Sequence, residues 1–374
     1  MKRLIPAEKK APGLCDAGRR REFARELTTE EKFIFDGLMA GIRRTNLLKL
    51  DIPVPNGNRI FAKCEFEQLT GSHYDRVYPF LVKILLEGGF TPEKYGLVET
   101  SSGNASISFA RACNAFGYES WAVLPRSEEI SAARIKLTSD EGTHIVHPNP
   151  LVDGYGLPGI AKRMLRLIRE SRDWKKPLWS PDHSRVHDSI ESILSLAQEI
   201  ADELDSIDFF VGIPGNGTTL YGVGVPLKSA FHGMQVVAVE PYSNPGLFLL
   251  MHPEMKNIYM AKGDLPEIAP SPDSIHEYKI RMPGSGCYGL ADIFPHIVAS
   301  VPFVDSIRQI DDKNAEWEKP MHAGKSVNDL LLEAHGFKVG STSAASLMVA
   351  LEIAERVHDK TIVMIFYDKL EGRY

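Results

Sequence analysis

The chain has 374 residues, 43% hydrophobic and 25% charged, with a net charge of −6, enough for two domains or one large α/β unit. No Lys/Arg block or aromatic-plus-basic motif marks a nucleic-acid footprint, "MKRLIPAEKKAPG" lacks the apolar run of a secretory signal, and the longest apolar runs, such as "TIVMIFY", have strand length rather than membrane-spanning length. Four scattered cysteines (Cys15, Cys64, Cys113, Cys287) without a C-x-x-C pair, and twelve histidines without an H-E-x-x-H pattern, argue against a metal site and fit a reducing cytoplasm.

In chain order, residues 1–45 read as an N-terminal extension with helical periodicity in "TTEEKFIFDGLMAGI". "RIFAKCEF" (59–66) reads as a strand and "DRVYPFLVKILLEGG" (75–89) as a helix closing at glycine. Strand and helix then alternate through "YGLVET", "NASISFARACNAFG", "ESWAVLP", "EEISAARIKLTSD" and "GTHIVHP", followed by a helix over 157–172. A loop, "WKKPLWSPDHSRVHD", separates these from a long helix over 188–204, the strand "IDFFVGI", a glycine-rich turn, a helix and the strand "QVVAVEP". The last pair is "AASLMVALEIAERVHDKTIVMIFYD". Such alternation means βαβ units and mainly parallel sheets. It predicts a smaller α/β domain over 46–180 and a larger one over 181–374.

Three turns open helices with small polar residues. In "ETSSGNASIS", Ser101, Ser102 and Asn104 sit where free N–H groups attract an anion such as a carboxylate; plain N-capping by Ser102 or Asn104 is the alternative. In "VGIPGNGTTLYGVG", Gly215 and Gly217 let amides turn inward beside Thr218 and Thr219, as a phosphate cradle or merely a tight βα turn. Glu240 stands ~20 residues on, as in a dinucleotide fingerprint, but Leu220 occupies the place of the third glycine. In "KVGSTSAASLMVA", Ser341, Thr342 and Ser343 could cap the last helix or meet a ring nitrogen.

Taken together with "AKCEFEQLTGSHYDR", "RRTNLLKL", "VVAVEP", "GSGCYG" and the tail "YDKLEGRY" in the same order, the chain resembles the fold-type II pyridoxal-phosphate enzymes. Within them it looks closest to the cysteine synthase and cystathionine β-synthase branch, the tryptophan synthase β-like family. The resemblance runs from about residue 43 onward. It implies two α/β domains, pyridoxal 5′-phosphate as cofactor, and β-replacement or β-elimination on serine, an activated serine or a related amino acid. It implies that Gly215, Asn216, Gly217, Thr218 and Thr219 hold the cofactor phosphate and Asn104 the ring hydroxyl. Ser101, Ser102 and Ala105 would face the substrate carboxylate; alanine at 105 departs from the usual threonine. Thr342 would face the pyridine nitrogen, with Ser341 and Ser343 beside it. A neutral hydroxyl there limits the electron sink and suits β-chemistry better than transamination. A small amino-acid substrate and a homodimer are implied by analogy, with no nucleic-acid or membrane partner.

One position breaks the pattern. Where the family places its Schiff-base lysine, in the frame Gly71-Ser72-His73-Tyr74-Asp75-Arg76, this chain has Tyr74. A phenol forms no imine, and an ordinary pKa of ~10 makes it a reluctant base. Lys63, in the preceding strand, and Lys83, more than two helical turns on, do not replace it. Three readings compete: a deliberate Lys→Tyr substitution that traps a bound species; a natural member that kept the pocket and lost or changed the reaction; or a cofactor that arrives already bonded to an amino acid, with Tyr74 or His73 handling protons. Tyr74 could also simply fill space. Every reading implies poor lysine-dependent turnover. A nicotinamide dehydrogenase leaves the other motifs unexplained, a serine hydrolase lacks its Gly-x-Ser-x-Gly elbow, and a non-catalytic protein that binds cofactor or an amino-acid adduct is the main rival. "PDHSRVHD" and "GSGCYGLAD" are candidate specificity loops.

Overall fold

The computed structural model describes residues 25–101, 103–126, 130–154, 156–261, 282, 284–285, 295–321 and 324–370. A helix, α1 (Thr29–Ala40), precedes β1 (Leu47–Lys49), β2 (Arg59–Cys64) and α2 (Tyr74–Glu87). Next come β3 (Gly96–Thr100), α3 (Asn104–Ala115), β4 (Ser120–Val123), α4 (Ala132–Asp140), β5 (His144–Val146), α5 (Gly156–Glu170) and β6 (Leu178–Trp179). Two short helices, α6 (Asp188–Glu191) and α7 (Leu194–Glu203), lead to β7 (Phe209–Gly212), α8 (Thr218–Ala230), β8 (Gln235–Pro241), α9 (Gly246–Met251) and α10 (Lys256–Ala261). The chain closes with α11 (Pro295–Ser300), β9 (Ser306–Ile310), α12 (Val327–His335), α13 (Ser341–Ala354) and β10 (Thr361–Phe366).

The strands form a six-stranded sheet, β1-β2-β10-β7-β8-β9, and a four-stranded sheet, β5-β4-β3-β6. All pairs are parallel except β1 with β2 at one edge. The expected α/β architecture with mainly parallel sheets is therefore the observed one. In β10, Ile362 and Met364 point into one apolar cluster with α13, while Val363 and Ile365 point into another with α7 and α8. A strand buried on both faces must be apolar throughout, which is why "TIVMIF" is a continuous run; each such side chain contributes ~1.5–3 kcal/mol by burial. The smaller sheet repeats the scheme: Leu97 packs toward α2 and α3, and Val98 toward α5.

Three local expectations are corrected. The strands at 47–64 belong to the six-stranded sheet, in register with residues 361–366 at the far end of the chain, rather than to the unit carrying 96–179. The strand expected over 59–66 stops at Cys64, because Glu65 turns inward to meet Arg76 in a 3-10 turn. The long helix over 188–204 is broken at Ser192–Ile193, where Ile193 turns fully into the core. The expected arm is partly a packed element, since Ile34, Phe35 and Leu38 of α1 lie against the cluster around α2 and α3. Among the described residues no helix is long and apolar enough to cross a membrane.

Candidate active site

The turn before α2 is held by the two residues that follow Tyr74. Asp75 accepts from Thr70 N at 2.7 Å and Thr70 Oγ1 at 2.6 Å. Arg76, 2% exposed, makes a two-point contact with Glu65 at 2.9 Å for each bond and another with Glu199 at 2.6 and 3.0 Å. Lys63 completes this buried cluster, its Nζ 2.8 Å from Glu199 Oε2 and 2.5 Å from the Thr45 carbonyl. A guanidinium fork satisfied on both sides fixes geometry well, so the Asp-Arg pair sets the angle at which α2 begins. Lys63 is consumed here and Lys83 pairs with Glu87 along the helix at 2.6 Å; neither lysine stands in for an amine at position 74.

Tyr74 is the first residue of α2 and lies among rings. Its ring centroid is 4.2 Å from His73, 5.5 Å from His183 with planes 88° apart, and 6.0 Å from Tyr78. His183 comes from the "PDHSRVHD" loop. Its Nδ1 lies 3.0 Å from Tyr78 Oη and 3.2 Å from Glu99 Oε2, its backbone N donates to the same Glu99 oxygen, and its carbonyl accepts from Asn216 Nδ2 at 3.2 Å. Burial pushes the Tyr78 phenol well above its ordinary value, so the hydroxyl stays neutral. Burial, then the nearby charges of His183 and Arg76, push His73 down to about 3, so its imidazole is neutral at pH 7.

The glycine-rich turn joins β7 to α8. Gly217 is its N-cap residue, with φ +91, and a Cβ there would lie 2.5 Å from the His296 carbonyl carbon and 2.6 Å from Ile297 Cα. Only glycine fits, both for the left-handed backbone and for the close approach. Asn216 Oδ1 accepts from Thr218 N at 2.9 Å, leaving the next first-turn amides, at Thr219 and Leu220, without intrahelical carbonyls. The Thr218 and Thr219 hydroxyls are buried beside them. Ser189 Oγ links Thr218 Oγ1 at 3.3 Å to His296 Nε2 at 3.2 Å, and burial pushes His296 down to about 4. Glu240 is not free for a ribose: fully buried, it accepts from Leu247 N and Phe248 N at the start of α9.

The other two turns converge on the segment after β10. Ser101 Oγ accepts from Gly103 N at 2.8 Å and Ser106 N at 3.0 Å, so Ser101 satisfies two amides at the opening of α3. Asn104 sends Nδ2 to Asp368 Oδ2 at 2.8 Å. The same oxygen receives Arg134 Nη2 at 2.9 Å, in an ion pair 5% and 3% exposed. Gly103, at φ +146, gives way to that arginine, whose Cδ would lie 2.5 Å from a Cβ. The Asp368 carbonyl accepts from Gly340 N, the N-cap residue of α13. No side chain caps α13: Ser341 and Thr342 are half-buried in its first turn, and Ser343 Oγ accepts from Tyr367 N at 2.9 Å. Tyr367 in turn sets its ring 5.3 Å from His73.

Of the expected residues, contacts link Tyr74 with Asn216 through His183, and His73 with Ser343 through Tyr367, next to the Asp368 that binds Asn104. Ala105 stands slightly apart, its methyl in the apolar cluster with Tyr78 and Phe109. Ser102 and most of "GSGCYGLAD" lie outside the described residues. Sequence reasoning missed Glu99, Tyr78, Arg134, Tyr367 and Asp368 as site neighbours, and singled out His183 only within a loop; a buried acid beside a motif, as at Glu99, was the one available signal.

The family described as pyridoxal-phosphate dependent enzyme matches residues 38–368. Cysteine synthase B of Campylobacter jejuni is 24% identical over 317 residues, 84% of this chain and 90% of that protein. Cystathionine beta-synthase of Apis mellifera is 25% identical over 350 residues, 91% of this chain but 60% of that protein, so this chain spans about three-fifths of that relative's length. Among solved structures, the O-acetylserine dependent cystathionine beta-synthase from Helicobacter pylori is 21% identical with a TM-score of 0.66, covering 93% of this chain and 97% of that one. The cysteine synthase from Entamoeba histolytica is 23% identical with a TM-score of 0.68, covering 93% and 91%; at these identities the structures speak for the fold. With the family matched across residues 38–368, this chain belongs to the pyridoxal-phosphate dependent enzymes.

Proposed function

We propose that the chain holds pyridoxal 5′-phosphate where the three turns meet, and that its chemistry is β-replacement or β-elimination on serine, an activated serine or a related amino acid. The observation that carries the reading is the head of α8, where buried Thr218 and Thr219 stand beside first-turn amides that have no intrahelical carbonyls. Those groups fit a phosphate. At the other end the fit is different: Tyr74 occupies the position of the family's cofactor-bearing lysine and offers no amine. The cofactor, when bound, supplies the electron sink for loss of a substituent at the β-carbon.

Around it, this chain's own residues have separate tasks. Thr218, Thr219 and the α8 amides hold the phosphate, with Gly215 and Asn216 shaping the turn. Thr342, or its neighbours Ser341 and Ser343, presents a neutral hydroxyl to the ring nitrogen. Asn104 and Ser101 orient the ring hydroxyl and the substrate carboxylate. His73 and Tyr74 stand where a lysine would otherwise move the proton, and neither a neutral imidazole nor a phenol replaces its amine well.

The test is turnover with and without a lysine. Serine or O-acetylserine is supplied with a thiol and the cofactor, and α-keto acid release and thiol consumption are followed. Tyr74→Lys should exceed the unaltered protein by at least ~100-fold, the range of a positioned acid–base group. Equal turnover by both proteins, or no cofactor binding by either, contradicts the reading.

A further inference from the structure

Two polar atoms immediately before Tyr74 are sealed from solvent without a protein hydrogen-bond partner: Ser72 Oγ and His73 Nδ1. Ser72 is fully buried. Both belong to the turn that Asp75 and Arg76 hold in place, so a rotation that would satisfy them elsewhere is opposed by bonds already made. Buried polar atoms almost always find partners, and two neighbouring exceptions at the head of α2 point to a ligand group that meets them.

Resting on the phosphate cradle proposed above, and not on the β-chemistry, which needs the aldehyde, we propose that Ser72 and His73 form a subsite for an amine, and that the resting chain takes the cofactor in a form carrying its own 4′ amine, as in pyridoxamine 5′-phosphate, in preference to the aldehyde. The ligand then brings the nitrogen that Tyr74 cannot. The subsite requires the His73 ring proton on Nε2, which leaves Nδ1 as an acceptor for one amine N–H, while the Ser72 hydroxyl, donor and acceptor alike, takes a second. An aldehyde oxygen has no proton to give and, with a phenol at position 74, no amine to condense with. Burial keeps His73 neutral at pH 7, and the nearby Arg76 charge is matched by Glu65 and Glu199. The Tyr74 ring, 4.2 Å from His73, packs beside this subsite.

The experiment is a competition titration of the full chain at pH 7, with pyridoxamine 5′-phosphate, pyridoxal 5′-phosphate and inorganic phosphate read by calorimetry, and no turnover involved. The inference expects the amine form to bind at least 10-fold more tightly than the aldehyde, about 1.4 kcal/mol. Ser72→Ala and His73→Phe should each reduce that preference while leaving inorganic phosphate affinity unchanged; Ser72→Ala, a small change, serves if His73→Phe folds poorly. Tyr74→Lys should reverse the preference. If both forms bind equally, or the preference survives both variants, the subsite is structural and the inference fails while the cofactor reading stands. If neither form binds more tightly than inorganic phosphate, both fail.

Discussion

The rings of Tyr74 and His183 stand at 88° with centroids 5.5 Å apart, so the first residue of α2 rests on a loop histidine that also binds Glu99, Tyr78 and Asn216. His183→Leu leaves Tyr78 Oη and one Glu99 contact without a partner in a buried setting. We expect a loss of ~1–3 kcal/mol in urea unfolding. Combined with Tyr78→Phe, the two losses should fall short of adding, since each removes the same hydrogen bond; strict additivity would show that the pair does not interact.

Gly217→Ala forces a side chain into a backbone conformation at φ +91 and against the main chain of His296 and Ile297. A destabilisation of ~1–3 kcal/mol follows, with loss of inorganic phosphate binding in the same variant. A thermal melt and a phosphate titration check both parts. An alanine variant that binds phosphate normally would remove the cradle from the account.

The buried cluster of Lys63, Glu65, Arg76 and Glu199 balances two cations against two carboxylates. Arg76→Met leaves two acids facing one lysine, and should cost ~3–5 kcal/mol by chemical denaturation. Arg76→Lys should recover little of this, because an ammonium cannot make the two forked contacts.

Acid should loosen the fold through histidines that stay neutral when folded. His73 sits at about 3 and His296 at about 4, both below the ordinary value of 6.5. Between those limits the unfolded chain binds protons that the folded chain refuses, so their contribution is complete above pH 6.5 and is lost as pH falls. At pH 5 each accounts for roughly 2 kcal/mol at most. His73→Phe should shrink the drop in melting temperature between pH 7 and pH 5; an unchanged drop would mean that His73 protonates freely in the folded state.

Much of this was legible locally. Alternating strands and helices, the three turns and the Asp-Arg frame are marked by neighbours in sequence, and the alternation lies close to where the pattern put it. What was not legible depends on distant meetings. Nothing near Arg59 announces its pairing with Thr361, which moves β1 and β2 into the larger sheet. Nothing near Asn104 announces Asp368, which claims its amide together with Arg134. The break at Ser192–Ile193 reflects a core that Ile193 completes, against a helical periodicity running straight through it.

The central claim is that this chain holds its cofactor through the α8 cradle and without a covalent bond at position 74. The most direct measurement is borohydride reduction of the protein equilibrated with pyridoxal 5′-phosphate, followed by mass mapping, beside Tyr74→Lys. The account predicts that the unaltered protein binds the cofactor yet keeps its mass, while Tyr74→Lys gains a reduced adduct mapped to residue 74. An adduct on another lysine of the unaltered protein, or none at residue 74 in the variant, would contradict it.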